Sequence, residues 1–167
     1  MKKILFTLLF AGLMTVIYAG DFKVPKYEFK TAEDYALYEK DVIAAFDWLM
    51  ATPLQDQKES NRKATEKFIV EWVMGSPNIT ITLRQNIVSF MTTSPKLLTI
   101  FFGGWTKYAL ENQDFNNEVA GNLAGLNAVI DYYTQNKKVL KADKNIDVLV
   151  KMRAKGKLQE FVEAALG

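Results

Sequence analysis

The segment SPKLLTIFFGGWTKYALEN, residues 94–112, decides the fold of this chain. Between residues 97 and 110 it places apolar or aromatic side chains on nearly every side of a helix, and a helix that is apolar all round is buried inside a domain. The pair Gly103 and Gly104 costs such a helix about 1 kcal/mol per glycine relative to alanine, so it predicts a kink or a close backbone contact. We therefore expect a central buried helix with the other helices around it.

The next segment offers a partner for the glycine pair. Residues 115–133 carry an apolar stripe at helical spacing. Beside the stripe runs a strip of small residues along which a second backbone can approach closely: Ala120, Gly121, Ala124, Gly125 and Ala128. The sequence thus predicts two closely packed neighbouring helices.

Helix signals also precede the central segment. Thr31, followed three residues later by Asp34, is typical of a capping box and predicts a helix that Thr52-Pro53 ends. A second helix is expected to begin near Leu54 or Asp56 and to end at Met74, with Gly75 as its C-terminal cap. Residues 76–83 alternate as a strand would, and we expect a short extended entry into a third helix over residues 82–91.

The tail, residues 137–167, predicts two shorter helices separated by Gly156. Residues 143–147, DKNID, match the opening of a calcium-binding loop, but Val148 and Ala154 stand where that loop needs a glycine and a bidentate glutamate. We therefore expect Asp143 to cap a helix. The whole pattern predicts an all-α fold of six or seven helices, a helical-hairpin or orthogonal bundle that forms one domain over residues 20–167.

The first residues have the pattern of a secretory signal peptide. Lys2 and Lys3 precede an apolar run from Ile4 to Ile17, and Ala19 is a small residue suited to cleavage. The run is shorter than the ~20 residues that a spanning helix needs, so we predict a cleaved signal peptide over residues 1–19 and no transmembrane segment in the mature chain. The expected location is periplasmic or extracellular.

Composition excludes several kinds of chemistry. The chain has no cysteine and no histidine, which excludes Ser/His/Asp catalysis, cysteine nucleophiles and zinc-thiolate sites and predicts no metal and no cofactor. Its 21 basic residues exceed its 19 acidic ones only through Lys2 and Lys3, so the expected mature chain is neutral and gives no sign of nucleic-acid binding.

Charge is nevertheless segregated along the chain. Residues 28–59 hold eight acidic and three basic residues, whereas residues 137–157 hold eight basic and two acidic ones. The two segments could face each other, or the basic segment could touch an anionic surface such as a cell-wall polymer or lipid headgroups. A third interpretation is an ordinary solvated face.

Two sets of residues are candidates for a site. Five aromatic and glycine residues could line a pocket for a ligand or partner, although aromatic residues at helical spacing are usually core: Trp72, Gly103, Gly104, Trp105 and Tyr108. Among these, Trp105 and Tyr108 are expected to be the most accessible. Glu111 and Asp114 are a weaker, catalytic alternative, since a glycan hydrolase needs two carboxyls of which one holds its proton. The competing interpretation is that Asp114 caps the next helix and that Glu111 is solvated.

The segments GSPNITITL (75–83), FFGGWTKYALEN (101–112) and AGNLAGLNAVIDYY (120–133) resemble small exported helical proteins of Bacteroidetes-type bacteria that have no assigned activity. The resemblance implies export and a helical domain, and it supplies no catalytic residue. The sequence favours a binding protein over an enzyme, with an envelope protein or a cell-wall or lipid surface as partner. A carboxylate-dependent cell-wall glycan hydrolase and a carrier of an apolar molecule are the alternatives. The sequence does not predict the oligomeric state.

Overall fold

A computed structural model describes residues 21–55 and 58–167, so the expected signal peptide, residues 1–19, lies outside the described residues. The described residues form seven α-helices and one 3-10 helix, and they contain no strand. The all-α prediction is therefore confirmed. The elements are α1 (Ala32–Leu37), α2 (Glu39–Ala51), α3 (Glu59–Gly75), η1 (Ser89–Thr92), α4 (Leu97–Asn112), α5 (Glu118–Gln135), α6 (Lys144–Ala154) and α7 (Leu158–Leu166).

Helices α4 and α5 form the central pair, and their glycines allow the close contact that the sequence predicts. A Cβ atom on Gly104 would lie 2.7 Å from Ala128 Cβ and 2.9 Å from the carbonyl oxygen of Ala124. A Cβ atom on Gly125 would lie 2.6 Å from Cδ2 of Phe101. Real side chains do not tolerate such distances, so these glycines let the two backbones approach.

The remaining helices surround this pair. Helices α2 and α3 pack against α4, whereas α6 and α7 pack against α5. The buried core runs through all of these contacts, and its largest fully buried side chains include Phe68, Trp72, Phe90, Phe101 and Leu126. None of the helices in the described part of the chain is long and apolar enough to cross a membrane.

The first predicted helix is two helices. Thr31 and Asp34 form the expected capping box, and the run ends at Thr52 as predicted, but the helix breaks at Tyr38. The Tyr38 hydroxyl donates to the carbonyl oxygen of Lys26 at 3.0 Å, and its ring meets Phe29 edge-on. The break accompanies these contacts, which fix Tyr38 against the preceding segment.

That preceding segment, residues 21–30, forms no helix and no strand, and we call it the N-terminal strap. No backbone-to-backbone hydrogen bond holds it, within the described residues, and its carbonyls instead accept from side chains such as Asn61. Phe29 stacks on Tyr27 and Tyr35 with ring centroids 4.8 Å apart in both pairs, and Phe68 lies beneath. Aromatic packing therefore holds this N-terminal strap on α3.

The start of α3 differs from the prediction, since the helix begins at Glu59 and not near residue 54. The contacts of Arg62 account for this later start of the helix. Its guanidinium donates to the carbonyls of Thr52 and Pro53 at 2.7 and 3.1 Å, which fixes the preceding turn outside the helix. Gly75 is the last helical residue and Ser76 is the cap, so the predicted role of Gly75 is wrong. A Cβ atom on Gly75 would lie 1.9 Å from the Tyr35 hydroxyl, so close packing explains the glycine.

The predicted third helix, over residues 82–91, is also wrong. The chain stays extended to Arg84 and forms only the short 3-10 helix η1. A run of β-branched residues from Ile79 to Thr82 explains the extension, because such side chains favour extended backbone. Ile79 is buried and holds this segment on the core.

Candidate functional site

A shallow groove of about 320 Å³ crosses α2, α4 and α5 and contains part of the predicted site. We call it the α2/α4/α5 groove. Gly104, Ala124 and Ala128 form its floor, and Phe46 and Met50 form an apolar wall. Polar side chains complete the rim: Lys107, Tyr108, Glu111, Asn112, Asn127 and Asp131.

The floor exists because the small residues that bring α4 and α5 together also leave the surface above them unfilled. Gly104 has no side chain, and Ala124 and Ala128 each offer only a methyl group. The same residues thus serve both helix packing and the shape of the groove.

Lys107, on α4, forms ion pairs with one carboxylate on α2 and one on α4. Its ammonium donates to both carboxylate oxygens of Asp47 on α2, at 2.6 and 2.8 Å, and lies 3.3 Å from Glu111. Burial opposes the charge on Lys107, but the hydrogen bonds and charges of Asp47 and Glu111 outweigh it and raise the pKa of Lys107. Lys107 is therefore a fixed cation between two carboxylates.

Tyr108 is held by the loop that joins α4 to α5. Its hydroxyl donates to Asp114 Oδ2 at 2.7 Å, and this hydrogen bond raises the pKa of Tyr108, with burial adding to the effect. Asn117 donates to the same carboxylate oxygen at 3.0 Å. Asn117 is also the cap of α5, since its side chain accepts from the backbone N–H of Ala120. The interpretation of Asp114 as the helix cap is therefore wrong.

The far end of the rim is closed by an ion pair to α6. Arg153 donates to Asp131 Oδ1 at 2.6 Å, and its guanidinium also lies 3.4 Å from the carbonyl oxygen of Asn127. Asn112, in contrast, is exposed, and its side-chain amide donates to the Tyr108 carbonyl at 2.8 Å. The rim therefore presents both hydrogen-bond donors and acceptors in a fixed arrangement, which suits recognition of a ligand.

The structure separates the five ligand-binding candidates into two groups. Gly104 and Tyr108 line the α2/α4/α5 groove. Trp72 and Trp105 are only 1% and 2% exposed, so the expectation that Trp105 is accessible is wrong. Gly103 is buried, and a Cβ atom there would lie 2.2 Å from the Phe46 ring. Trp72 and Trp105 therefore belong to the buried core, and Gly103 is the close contact of α4 with Phe46 on α2.

The catalytic alternative gains no support from the arrangement of Glu111 and Asp114. Glu111 is exposed and lies 3.3 Å from the ammonium of Lys107. Asp114 accepts hydrogen bonds from Tyr108 and Asn117 in the loop that joins α4 to α5. A glycan hydrolase instead needs one carboxyl held in an apolar pocket.

A second cavity, which the sequence analysis missed, lies beside α3. Its volume is about 470 Å³, and burial raises the pKa of Glu66 in its lining against the opposing charges of Arg62, Lys96 and Lys63. The sequence does not predict this cavity, because the charged residues in the first half of α3 indicate only a solvated face. The one available signal is Arg62, whose spacing of four residues from Glu66 places both on one side of the helix.

No group of acidic side chains in residues 21–55 and 58–167 is placed to hold a metal ion. Comparisons with protein-family models, with curated proteins and with solved structures found no match to the chain. The resemblance to small exported helical proteins therefore stays a prediction. What the groove binds has to be inferred from its own geometry.

Proposed function

We propose that this chain is an exported, non-enzymatic helical protein that binds a protein or ligand in the cell envelope, and that the α2/α4/α5 groove is the binding surface. The groove is the observation that carries the proposal. It combines an apolar wall, a floor of small residues and a hydrogen-bonding rim, which is the usual composition of a binding site. The signal-peptide pattern of residues 1–19 supports the periplasmic or extracellular location.

The dimensions and chemistry of the groove favour an amphipathic segment of a partner. Its volume lies at the low end of the ~300–1,000 Å³ typical of ligand pockets. Met50 offers apolar contact together with Phe46, of which 5% stays exposed, while Glu111 and Asn112 offer polar partners at the rim. One or two apolar side chains flanked by polar groups would match this arrangement.

Substitution of the apolar wall tests the proposal. Tagged mature protein would be captured from its native envelope and the eluate analysed by native mass spectrometry. Met50→Glu places a charge on the wall, and Met74→Glu is the matched control because Met74 is 80% exposed and lies outside the groove. We expect a stoichiometric partner that Met74→Glu retains and Met50→Glu loses. Equal retention by both variants would refute the groove as the binding surface.

The two other hypotheses gain no support from a specific contact. The hydrolase hypothesis rests on Glu111, and an unchanged turnover of cell-wall glycan by Glu111→Gln would remove it. The carrier hypothesis needs an enclosed apolar cavity. The α2/α4/α5 groove and the cavity beside α3 instead have charged side chains in their linings.

A further inference from the structure

The outer side of α6, with its C-terminal cap residue Lys155, carries three exposed lysines and one exposed apolar residue. Lys144, Val148, Lys151 and Lys155 follow one another at spacings of four, three and four residues, which places them on one side of the helix. All four are exposed, and Val148 is 47% exposed. The opposite side of α6 is buried through Ile146 and Leu149. We call the exposed side the α6 basic face.

An apolar cleft of about 240 Å³ lies between α6 and α7. It is lined by Met152, Lys157, Glu160, Phe161 and Ala164. Met152 and Phe161 are only partly buried, so part of each side chain meets solvent. The turn at Gly156, whose φ of +68° favours glycine, leads directly from Lys155 to Lys157. Lysines thus stand at the edge of an apolar cleft.

The acidic groups near this surface do not cancel its charge. Asp143 is buried and accepts hydrogen bonds, while Asp147 lies 3.5 Å from Lys137. Glu160 and Glu163 on α7 are the exposed acidic residues that remain on these two helices. Within the described residues, no ion pair engages the lysines of this surface: Lys144, Lys151, Lys155 and Lys157.

We infer that the α6 basic face and the adjoining cleft form a docking surface for an anionic phospholipid bilayer. Lysines bind the headgroups, while Val148 and Phe161 enter the boundary with the acyl chains, as in helices that lie in the membrane interface. An anionic polymer would match the lysines but would leave the apolar cleft without a partner. The docking surface shares no residue with the α2/α4/α5 groove, so each can fail without the other.

A tryptophan introduced at position 161 tests the inference in the full mature chain. The three native tryptophans, Trp48, Trp72 and Trp105, are at most 2% exposed and give a constant background. Phe161→Trp would be mixed with phosphatidylglycerol/phosphatidylcholine vesicles whose acyl chains are brominated. We expect quenching of the added fluorescence, and no quenching in the unsubstituted protein or with pure phosphatidylcholine. Absence of binding, or binding without quenching, would overturn the inference.

Charge variants provide a second readout that does not depend on Phe161. Each lysine near an anionic bilayer contributes about fivefold to binding, so Lys151→Gln with Lys155→Gln should weaken co-sedimentation with these vesicles about 25-fold. Lys23→Gln with Lys26→Gln removes the same charge from the N-terminal strap and should leave binding nearly unchanged. Equal weakening by both pairs would overturn the inference, as would equally tight binding of soluble polyphosphate.

Discussion

At the scale of single residues, Gly125 shows how closely the central helices are packed. A Cβ atom there would contact the Phe101 ring at 2.6 Å and the Phe101 carbonyl at 2.9 Å, and a backbone atom cannot move aside easily. We expect Gly125→Leu to lower the free energy of unfolding by about 3 kcal/mol, the upper range for overpacking. Urea denaturation followed by circular dichroism measures the change.

Ala44→Leu is the control for this experiment, since Ala44 lies in α2 with its side chain exposed. That variant adds the same side chain at a helical position and should change stability by less than about 0.5 kcal/mol. A Gly125→Leu protein as stable as the control would contradict the close contact between α4 and α5.

Asp143 joins three parts of the chain and predicts a dependence of stability on pH. Its carboxylate caps α6 and accepts from the hydroxyls of Thr93 and Ser94 at 2.5 and 2.6 Å. Burial opposes the charge, but these hydrogen bonds, with those from the backbone of residues 145 and 146, hold the pKa of Asp143 below its ordinary value of 3.8. Since the folded pKa is lowered, the stabilisation is complete above about pH 4 and is lost as the pH falls through the folded pKa.

We expect Asp143→Asn to lose about 2 kcal/mol at neutral pH and to depend less steeply on pH below 4 than the unsubstituted protein. Denaturant unfolding at a series of pH values between 2.5 and 7 measures both effects. Parallel curves for the two proteins would show that Asp143 is not the group responsible. The cap was predictable from its neighbours in sequence, whereas the contacts with Thr93 and Ser94 join residues 50 and 49 positions apart.

At the scale of elements, the N-terminal strap is held by side chains rather than by a backbone ladder. Phe29 is its centre, with Tyr27, Tyr35, Tyr38 and Phe68 around it. We expect Phe29→Ala to lower the free energy of unfolding by about 2 kcal/mol, less than for a fully buried aromatic residue because Phe29 is partly exposed. Thermal and urea unfolding measure the loss.

The neighbouring Glu28→Ala variant is the control, since the Glu28 side chain is 71% exposed and contacts only Lys30 across an exposed ion pair. That variant should be nearly neutral. A neutral Phe29→Ala variant would mean that the strap does not contribute to the stability of the fold.

Tyr27, in the N-terminal strap, predicts that the stability of the fold depends on pH in the alkaline range. Its hydroxyl donates to Glu71 at 2.5 Å, and burial, with this hydrogen bond and the charge of Glu71, raises the pKa of Tyr27 to about 12. The stabilisation is therefore complete below the unfolded value near 10 and is lost as the pH rises from 10 to 12. Tyr27→Phe should show a shallower decline of stability over this range, measured by urea unfolding. An identical decline would contradict the contact with Glu71.

The elements that the sequence predicts correctly are those whose signals are local. Helices α4, α6 and α7 follow from apolar periodicity, a capping residue and Gly156. The late start of α3 and the break at Tyr38 instead accompany hydrogen bonds from Arg62 and to Lys26, which span 9 to 12 positions. Local patterns do not predict such contacts, because the contacts join side chains to backbone groups of other elements.

At the scale of the whole molecule, the segregation of charge in the sequence does not produce ion pairs between the two charged segments, within the described residues. Among the described residues, no ion pair joins an acidic residue of segment 28–59 to a basic residue of segment 137–157. Helix α2 packs on α4, while α6 packs on α5 and α7. The charge pattern then has two other interpretations, contact with an external anionic surface and an ordinary solvated face.

The candidate site was predictable in part at this scale. Gly104 and Tyr108 line the α2/α4/α5 groove, but its wall comes from Phe46 and Met50, more than 50 positions earlier in the chain. Trp105 has the same local sequence context as Tyr108 and is nevertheless buried. Periodicity identifies the helix, but the packing of three helices decides which of its faces stays open.

Site-specific photo-crosslinking tests most directly whether the α2/α4/α5 groove is the binding surface. A photoreactive benzoylphenylalanine would replace Asn112, an exposed residue of the rim, or Ala64, an exposed α3 residue that does not line the groove. After irradiation in the native envelope, we predict one dominant crosslinked product from position 112 and none from position 64. Equal products at both positions, or none at position 112 while the partner still co-purifies, would contradict the proposed function.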